Sequence, residues 1–245
     1  MKKQIIAACL LMMQTASWGK VVLPEILSDN MVLQQQTEVK LWGKAKANAQ
    51  VSIRPSWDNR TYTATSDKDG KWIAKVQTPQ ASYNAYSITF SDGETTQLNN
   101  ILIGEVWFCS GQSNMEMPLA GFWNCPVAGA NETIATSAQW KGIRVATIEK
   151  NGQVEPVDNC KGSWKVSCPE NAPAFSATGF HFAMMMNQVL DIPIGIINSS
   201  WGGSTVEGWL PRDIVTQYPD INLERDIRKE EGHDWWHYML SLIHI

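Results

Sequence analysis

Val106-Trp107-Phe108-Cys109-Ser110-Gly111-Gln112-Ser113-Asn114-Met115 is the stretch on which the reading of this chain turns. An apolar run that begins at Ile101 and carries Gly104 and Glu105 inside it ends here in a tight Gly-x-Ser turn, and a polar stretch follows. A buried strand ending in such a turn presents a hydroxyl at the carboxyl edge of a sheet, where open α/β folds place their ligands. The amides after the turn can point at an oxygen on which negative charge develops. The spacing is Gly-x-Ser-x-Met and lacks the second glycine of a Gly-x-Ser-x-Gly nucleophile elbow, which disfavours an ordinary α/β-hydrolase. The plain alternative is that Ser113 does no more than cap a helix.

Downstream, Ile143 to Ile148 reads as a second strand, Ser176 to Leu190 as a helix rich in Ala, Phe and Met, and Ile194 to Asn198 as a third strand. Strands alternating with helices imply a parallel α/β sheet. Asp220 to Leu242 contains a further helical pattern interrupted by Gly232. Three strands are few for an open sheet of this kind, so the α/β unit reads as incomplete.

Upstream the period is different. Val39 to Trp42, Val51 to Ile53, Tyr62 to Ala64, Trp72 to Val76 and Tyr86 to Phe90 each place apolar residues on one face at period two. Asp69-Gly70 and Asp92-Gly93 are hairpin-type turn signals between them. The expected organisation is a leader over residues 1–19, a small antiparallel β-sandwich over 20–100, and an α/β domain over 101–245.

The leader rests on Lys2-Lys3, the apolar run Ile5 to Met13 and the small residues Ser17 and Gly19 before Lys20. That run is too short to span a bilayer, which needs roughly 20 apolar residues. Export is therefore expected, with no membrane span in the mature chain. Four cysteines then remain, Cys109, Cys125, Cys160 and Cys168. An even number in an oxidising compartment permits disulfides, such as Cys160 with Cys168 or Cys109 with Cys125, and four buried free thiols is the other reading. The formal charge of −4 offers no basic field for phosphates, so nucleic acid is not an expected partner.

The string Gly104 to Pro118 resembles the first conserved block of the sialate O-acetylesterases, which are serine esterases of the SGNH hydrolase type. Further similarity runs through Leu27-Ser28-Asp29-Asn30-Met31-Val32-Leu33-Gln34, Asp69-Gly70-Lys71-Trp72, Phe175-Ser176-Ala177, and Ile194 to Ser204, ending in Glu207-Gly208-Trp209. Blocks in family order over roughly residues 21–212 are far more specific than one short motif. The resemblance implies an antiparallel sandwich followed by an incomplete SGNH-hydrolase-like parallel α/β domain, the N-terminal part of such an enzyme.

It also implies roles. Ser113 stands at the nucleophile position, and its amide would be one oxyanion donor. A loop amide of Gly202 or Gly203 would be another, since a side-chain-free loop lets backbone approach the tetrahedral intermediate. Gln112, Asn114, Trp201, Glu207 and Trp209 are candidates for lining the substrate pocket. The expected substrate is an O-acetylated sialic acid or another acetylated glycan, with no metal or organic cofactor. The family's Gln-Gly-Glu-Ser-Asn type block, whose asparagine completes the oxyanion hole, is absent. None of the four histidines matches the late base, which is expected beyond Ile245. A serine hydroxyl needs such a base to take its proton.

His181 falls within the Ser176 to Leu190 helix and reads as a packing or surface residue. His233 and His237 stand four apart with Asp234 between them, the spacing of a zinc site, but a third ligand is missing from the pattern. His244 is next to the last residue. The chain has 12 tryptophans, and those inside strands, such as Trp42, Trp72 and Trp107, read as core residues. Asn59, Asn131 and Asn198 begin glycosylation sequons. Two other functions stay open at this point: deacetylation of a plant polysaccharide such as xylan, and a non-catalytic sugar-binding or structural module.

Overall fold

The alternating runs before residue 100 form strands in the computed structural model, which describes residues 20–152 and 157–219. They are β1 (Val32–Gln34), β2 (Glu38–Lys44), β3 (Gln50–Pro55), β4 (Tyr62–Thr65), β5 (Lys71–Gln77) and β6 (Ser82–Ser91). β2 and β5 pair antiparallel as one layer, while β4, β3 and β6 form an antiparallel series that continues into β7 (Thr95–Gly111). The period-two pattern explains the layering: Trp72, Ala74 and Val76 of β5 are buried while their sequence neighbours are exposed. Their apolar faces meet Val51, Ile53, Ile88 and Phe90 of the other layer in one core.

The two turn signals behave differently. Asp92-Gly93 joins β6 to β7 as a hairpin, with Ser91 opposite Thr95. Asp69-Gly70 is not a hairpin, because β4 pairs with β3 and β5 pairs with β2, so the turn crosses from one layer to the other. Gly70 adopts φ +79° there, and the Asp67 side chain accepts the amides of Asp69 and Lys71.

β7 is 17 residues long and crosses the expected boundary at residue 100 without a break. Up to Ile103 it pairs antiparallel with β6, and from Leu102 to Gly104 it pairs parallel with β1. From Glu105 to Gly111 it pairs parallel with β10 (Ile194–Ser200). β10 in turn pairs parallel with β8 (Ile143–Thr147), and β9 (Trp164–Val166) closes that edge antiparallel. Sandwich and α/β sheet are thus joined through one shared strand.

The helices are α1 (Ser113–Glu116), α2 (Ala130–Thr136), α3 (Ala177–Leu190) and α4 (Arg212–Val215). α3 starts where Ser176 accepts the Gly179 amide at 3.0 Å, a serine N-cap. Phe180 and Ala183 on its inner face pack against Ile143, Val145, Ile194 and Ile196 of the parallel strands. Gly104 is required by this junction: a Cβ there would run into the Pro193 carbonyl oxygen at the start of β10.

Several sequence expectations change. Trp72 is a core residue, but Trp107 is 40% exposed and forms a T-shaped pair with Phe182, with ring centroids 5.1 Å apart. Asn198 lies buried inside β10, which removes it as a glycan acceptor. Cys109, Cys125, Cys160 and Cys168 are all free thiols. Burial pushes the Cys109 and Cys160 thiols up from their ordinary range. Among the described residues no helix is long and apolar enough to cross a membrane. The leader and the helical pattern of Asp220 to Leu242, with His233, Asp234, His237 and His244, lie outside the described residues.

Candidate functional site

The parallel pairing of β7 with β10 builds the site. Ser200 stands opposite Gly111, and the ladder runs one step further, with the Trp201 amide donating to the Gly111 carbonyl at 2.8 Å. Both strands therefore end together at the carboxyl edge of the sheet. Each is followed by a glycine-assisted turn, Gly111-Gln112 on one side and Trp201-Gly202-Gly203 on the other. Gly111 has φ +141° and Gly203 φ +82°, conformations that side chains resist.

Ser113 is the first residue of α1 and is exposed, as are Gln112 and Asn114. Its hydroxyl donates to Gln112 Oε1 at 3.3 Å. The serine is not the cap of α1, which has no side-chain cap bond, so the plain capping role fails. α1 is buttressed by the start of α3: Thr178 Oγ1 donates to the Asn114 carbonyl at 2.9 Å, and the Ala177 amide donates to the Met117 carbonyl at 2.7 Å.

Gly202 lies against the serine. A Cβ built on it would stand 3.2 Å from Ser113 Oγ and 2.8 Å from Glu116 Oε2, so a side chain here would crowd the serine hydroxyl and push the Glu116 carboxylate aside. The Gly202 amide, one of the two alternatives for the loop oxyanion donor, is already engaged by donating to the Glu116 carboxylate. The reason is geometric. One helical turn places Glu116 three residues after Ser113, on the side of α1 that faces the Gly202 turn. The other carboxylate oxygen pairs with the Lys150 ammonium, which also sits 5.7 Å from the centre of the Trp201 ring.

Trp201, half-buried, therefore belongs to the site. Trp209 does not offer an open face: it is 7% exposed and its indole N–H donates to Ser204 Oγ at 2.8 Å, anchoring the segment after the glycine turn. Glu207 lies in the same short 3-10 turn, Val206–Trp209. His181 is on the exposed side of α3, and no hydrogen bond joins it to Ser113 among the described residues. Among those residues no group of three or more His, Cys, Asp or Glu could hold a metal ion.

Glu116 and Lys150 are the site residues the sequence reading missed. Glu116 was visible within the Ser113 block, three positions after the serine. Lys150 carries no motif and reaches the site only through the loop that follows β8. A cavity of about 640 Å³ lies elsewhere, between β1, β2 and β7, lined by Leu33, Val39, Trp42, Val106 and Phe108. Its apolar lining and its lack of Ser113 or the glycine turn separate it from this chemistry.

The chain is similar to known proteins in both sequence and fold. A solved structure described as a novel carbohydrate acetylesterase from Xanthomonas citri superposes with a TM-score of 0.71 at 32% identity, over 78% of this chain and 42% of that one. The sialate O-acetylesterase of Rattus norvegicus is 26% identical over 83% of this chain and 40% of its own length. The chain is similar to the sialate O-acetylesterases. The human sialate O-acetylesterase is 25% identical over 75% of this chain. The chain spans about two fifths of the length of these curated relatives. No family model matches it.

Proposed function

We propose that this chain carries the nucleophile half of an exported carbohydrate esterase that removes O-acetyl groups from sialic acids. The observation that carries the proposal is the close approach of Gly202 to Ser113 Oγ at the shared carboxyl edge of β7 and β10. A reacting carbonyl seated there would meet a hydroxyl and backbone donors together. Ser113 Oγ attacks the acetyl carbonyl carbon as a histidine from outside the described residues takes its proton. The amides of Ser113 and Gly203 hold the oxyanion, Gly202 being engaged with Glu116. The sugar hydroxyl leaves with the proton returned to it, and water then cleaves the acetyl-serine to acetate.

Support for a carbohydrate ester comes from the names of the relatives and of the structural neighbour. Because that neighbour is described by carbohydrate acetyl esters in general, deacetylation of a polysaccharide such as xylan is the second reading. Export rests on the leader pattern of residues 1–19.

Acetate release from an O-acetylated sialoside and from acetylated xylan, by this chain and by a form extended past Ile245, tests the proposal. The extended form is expected to release acetate from the sialoside faster than from xylan, and Ser113→Ala to abolish both. Activity that survives Ser113→Ala removes the nucleophile assignment. A preference for xylan replaces the sialic acid reading with the second one.

A further inference from the structure

We propose that Glu116, held by Lys150, is a positioning residue that fixes the Trp201-Gly202-Gly203 turn against Ser113. This rests on the esterase reading above and adds to it a residue pair that acts without touching the acetyl group. Three observations carry it. The Glu116 carboxylate accepts the Gly202 amide. The same carboxylate is paired with Lys150. Lys150 lies over the Trp201 ring, the residue before that glycine.

The physical case follows from what each contact replaces. Beyond the last β7–β10 ladder bond, at Trp201 N–H to Gly111, no strand pairing fixes the turn. Gly202 and Gly203 are flexible residues whose amides must nonetheless keep one orientation if Gly203 is to serve the oxyanion. A charge-assisted bond from the Gly202 N–H to a carboxylate is about twice as strong as a neutral one and tolerates little reorientation. An unpaired carboxylate beside a developing oxyanion would oppose the reaction. Lys150 offsets that charge, and its stacking on Trp201 ties the offset to the turn itself. Glu116 is 22% exposed in its side chain and Lys150 43%, so the pair is partly screened and its value lies in geometry more than in stability.

The test uses the extended form of the protein with a soluble O-acetyl ester. Glu116→Ala should lower kcat about 10- to 100-fold with KM little changed, the signature of an interaction made only in the transition state. Glu116→Gln keeps an oxygen acceptor for the Gly202 amide and should recover most of that loss. Lys150→Met should lower kcat less than Glu116→Ala, because the acceptor remains. Equal kcat in wild type and Glu116→Ala would overturn the proposal, as would a Glu116→Gln variant as slow as Glu116→Ala. A faster Glu116→Ala enzyme, inhibited more tightly by acetate, would mean that the carboxylate blocks the Gly202 donor instead of placing the turn, and would equally overturn it. If Glu116→Ala does not fold, the ratio of Glu116→Gln to Lys150→Met decides, the proposal requiring the glutamine variant to be the faster. Ser113→Ala in the same series separates this from the esterase reading: retained activity there sinks the nucleophile, whatever Glu116 does.

Discussion

The two ends of β7 share one strand and obey different rules. From Thr95 to Ile103 the strand pairs with β6, β1 joins it on the other side over Leu102 to Gly104, and Leu98, Ile101, Leu102 and Ile103 are buried in the sandwich core. From Glu105 to Gly111 β10 holds it on one side, Trp107 and Phe108 are exposed, and the backbone breaks into the turn that carries Ser113. The first end is fixed by burial, and the second by polar contacts and glycines. Between them lies a polar clasp. Glu105 accepts the side-chain amides of Gln34 and Gln35, each at 2.8 Å, while Gln34 Oε1 accepts the Val106 amide at 2.9 Å. β1 thereby continues its grip on β7 by one further step after its own backbone has turned away.

This contrast sets the order of expected effects. The largest is chemical: Gly202→Ala brings a methyl group to 3.2 Å from Ser113 Oγ and should lower kcat of the extended enzyme by roughly 100-fold, while its melting curve stays close to wild type. A melting temperature that collapses with the activity would show that this end, too, is governed by packing. Next, Ile103→Ala in the sandwich half, where that side chain is fully buried, should cost about 2–5 kcal/mol in denaturant unfolding, with the geometry around Ser113 kept. Gly104→Ala should cost about 1–3 kcal/mol, since the new Cβ meets the Pro193 backbone, which cannot swing aside as a side chain would.

A smaller loss, about 1 kcal/mol, is expected when Trp209→Phe removes the indole donor to Ser204. The smallest concerns the surface. Lys71 and Asp158 pair at 2.7 Å on the outside of the molecule, the lysine held above and the carboxyl below their ordinary ranges by that bond. A lowered carboxyl stabilises at neutral pH and loses its effect as pH falls through the acidic range, and a raised lysine loses its own as pH rises through the alkaline range. Asp158→Asn should flatten the acid limb of the stability curve barely measurably, because both groups are exposed.

Much of the architecture was legible because it rests on periodicity. Period-two runs marked five of the sandwich strands, and the Ala-, Phe- and Met-rich run from Ser176 to Leu190 and the apolar run at Ile194 marked the α/β elements. What the sequence could not disclose is pairing. Asp69-Gly70 has the composition of a hairpin turn, yet its flanking strands belong to opposite layers, a choice made by the core and not by the turn. The break expected at residue 100 is a composition change within one strand, since β7 needs polar alternation on one side and a continuous apolar run on the other. In the candidate site, Ser113 and the glycine pair were singled out by the resemblance of their blocks. The use of the Gly202 amide was not, because it depends on Glu116 reaching across to another loop and on Lys150, some 34 positions after Glu116 in the sequence. Trp201 and Trp209 looked alike as neighbours of the glycines; register placed one beside Lys150 and buried the other.

The central claim is that Ser113 is the attacking nucleophile, and trapping the covalent intermediate tests it most directly. The extended protein, acid-quenched during turnover of an activated acetyl ester and digested, should carry one acetyl group on the peptide containing Gln112-Ser113-Asn114, with none on the same peptide from Ser113→Ala. An acetyl group on a different residue, or an unlabelled Ser113 peptide under conditions where acetyl-enzyme accumulates, would contradict the account.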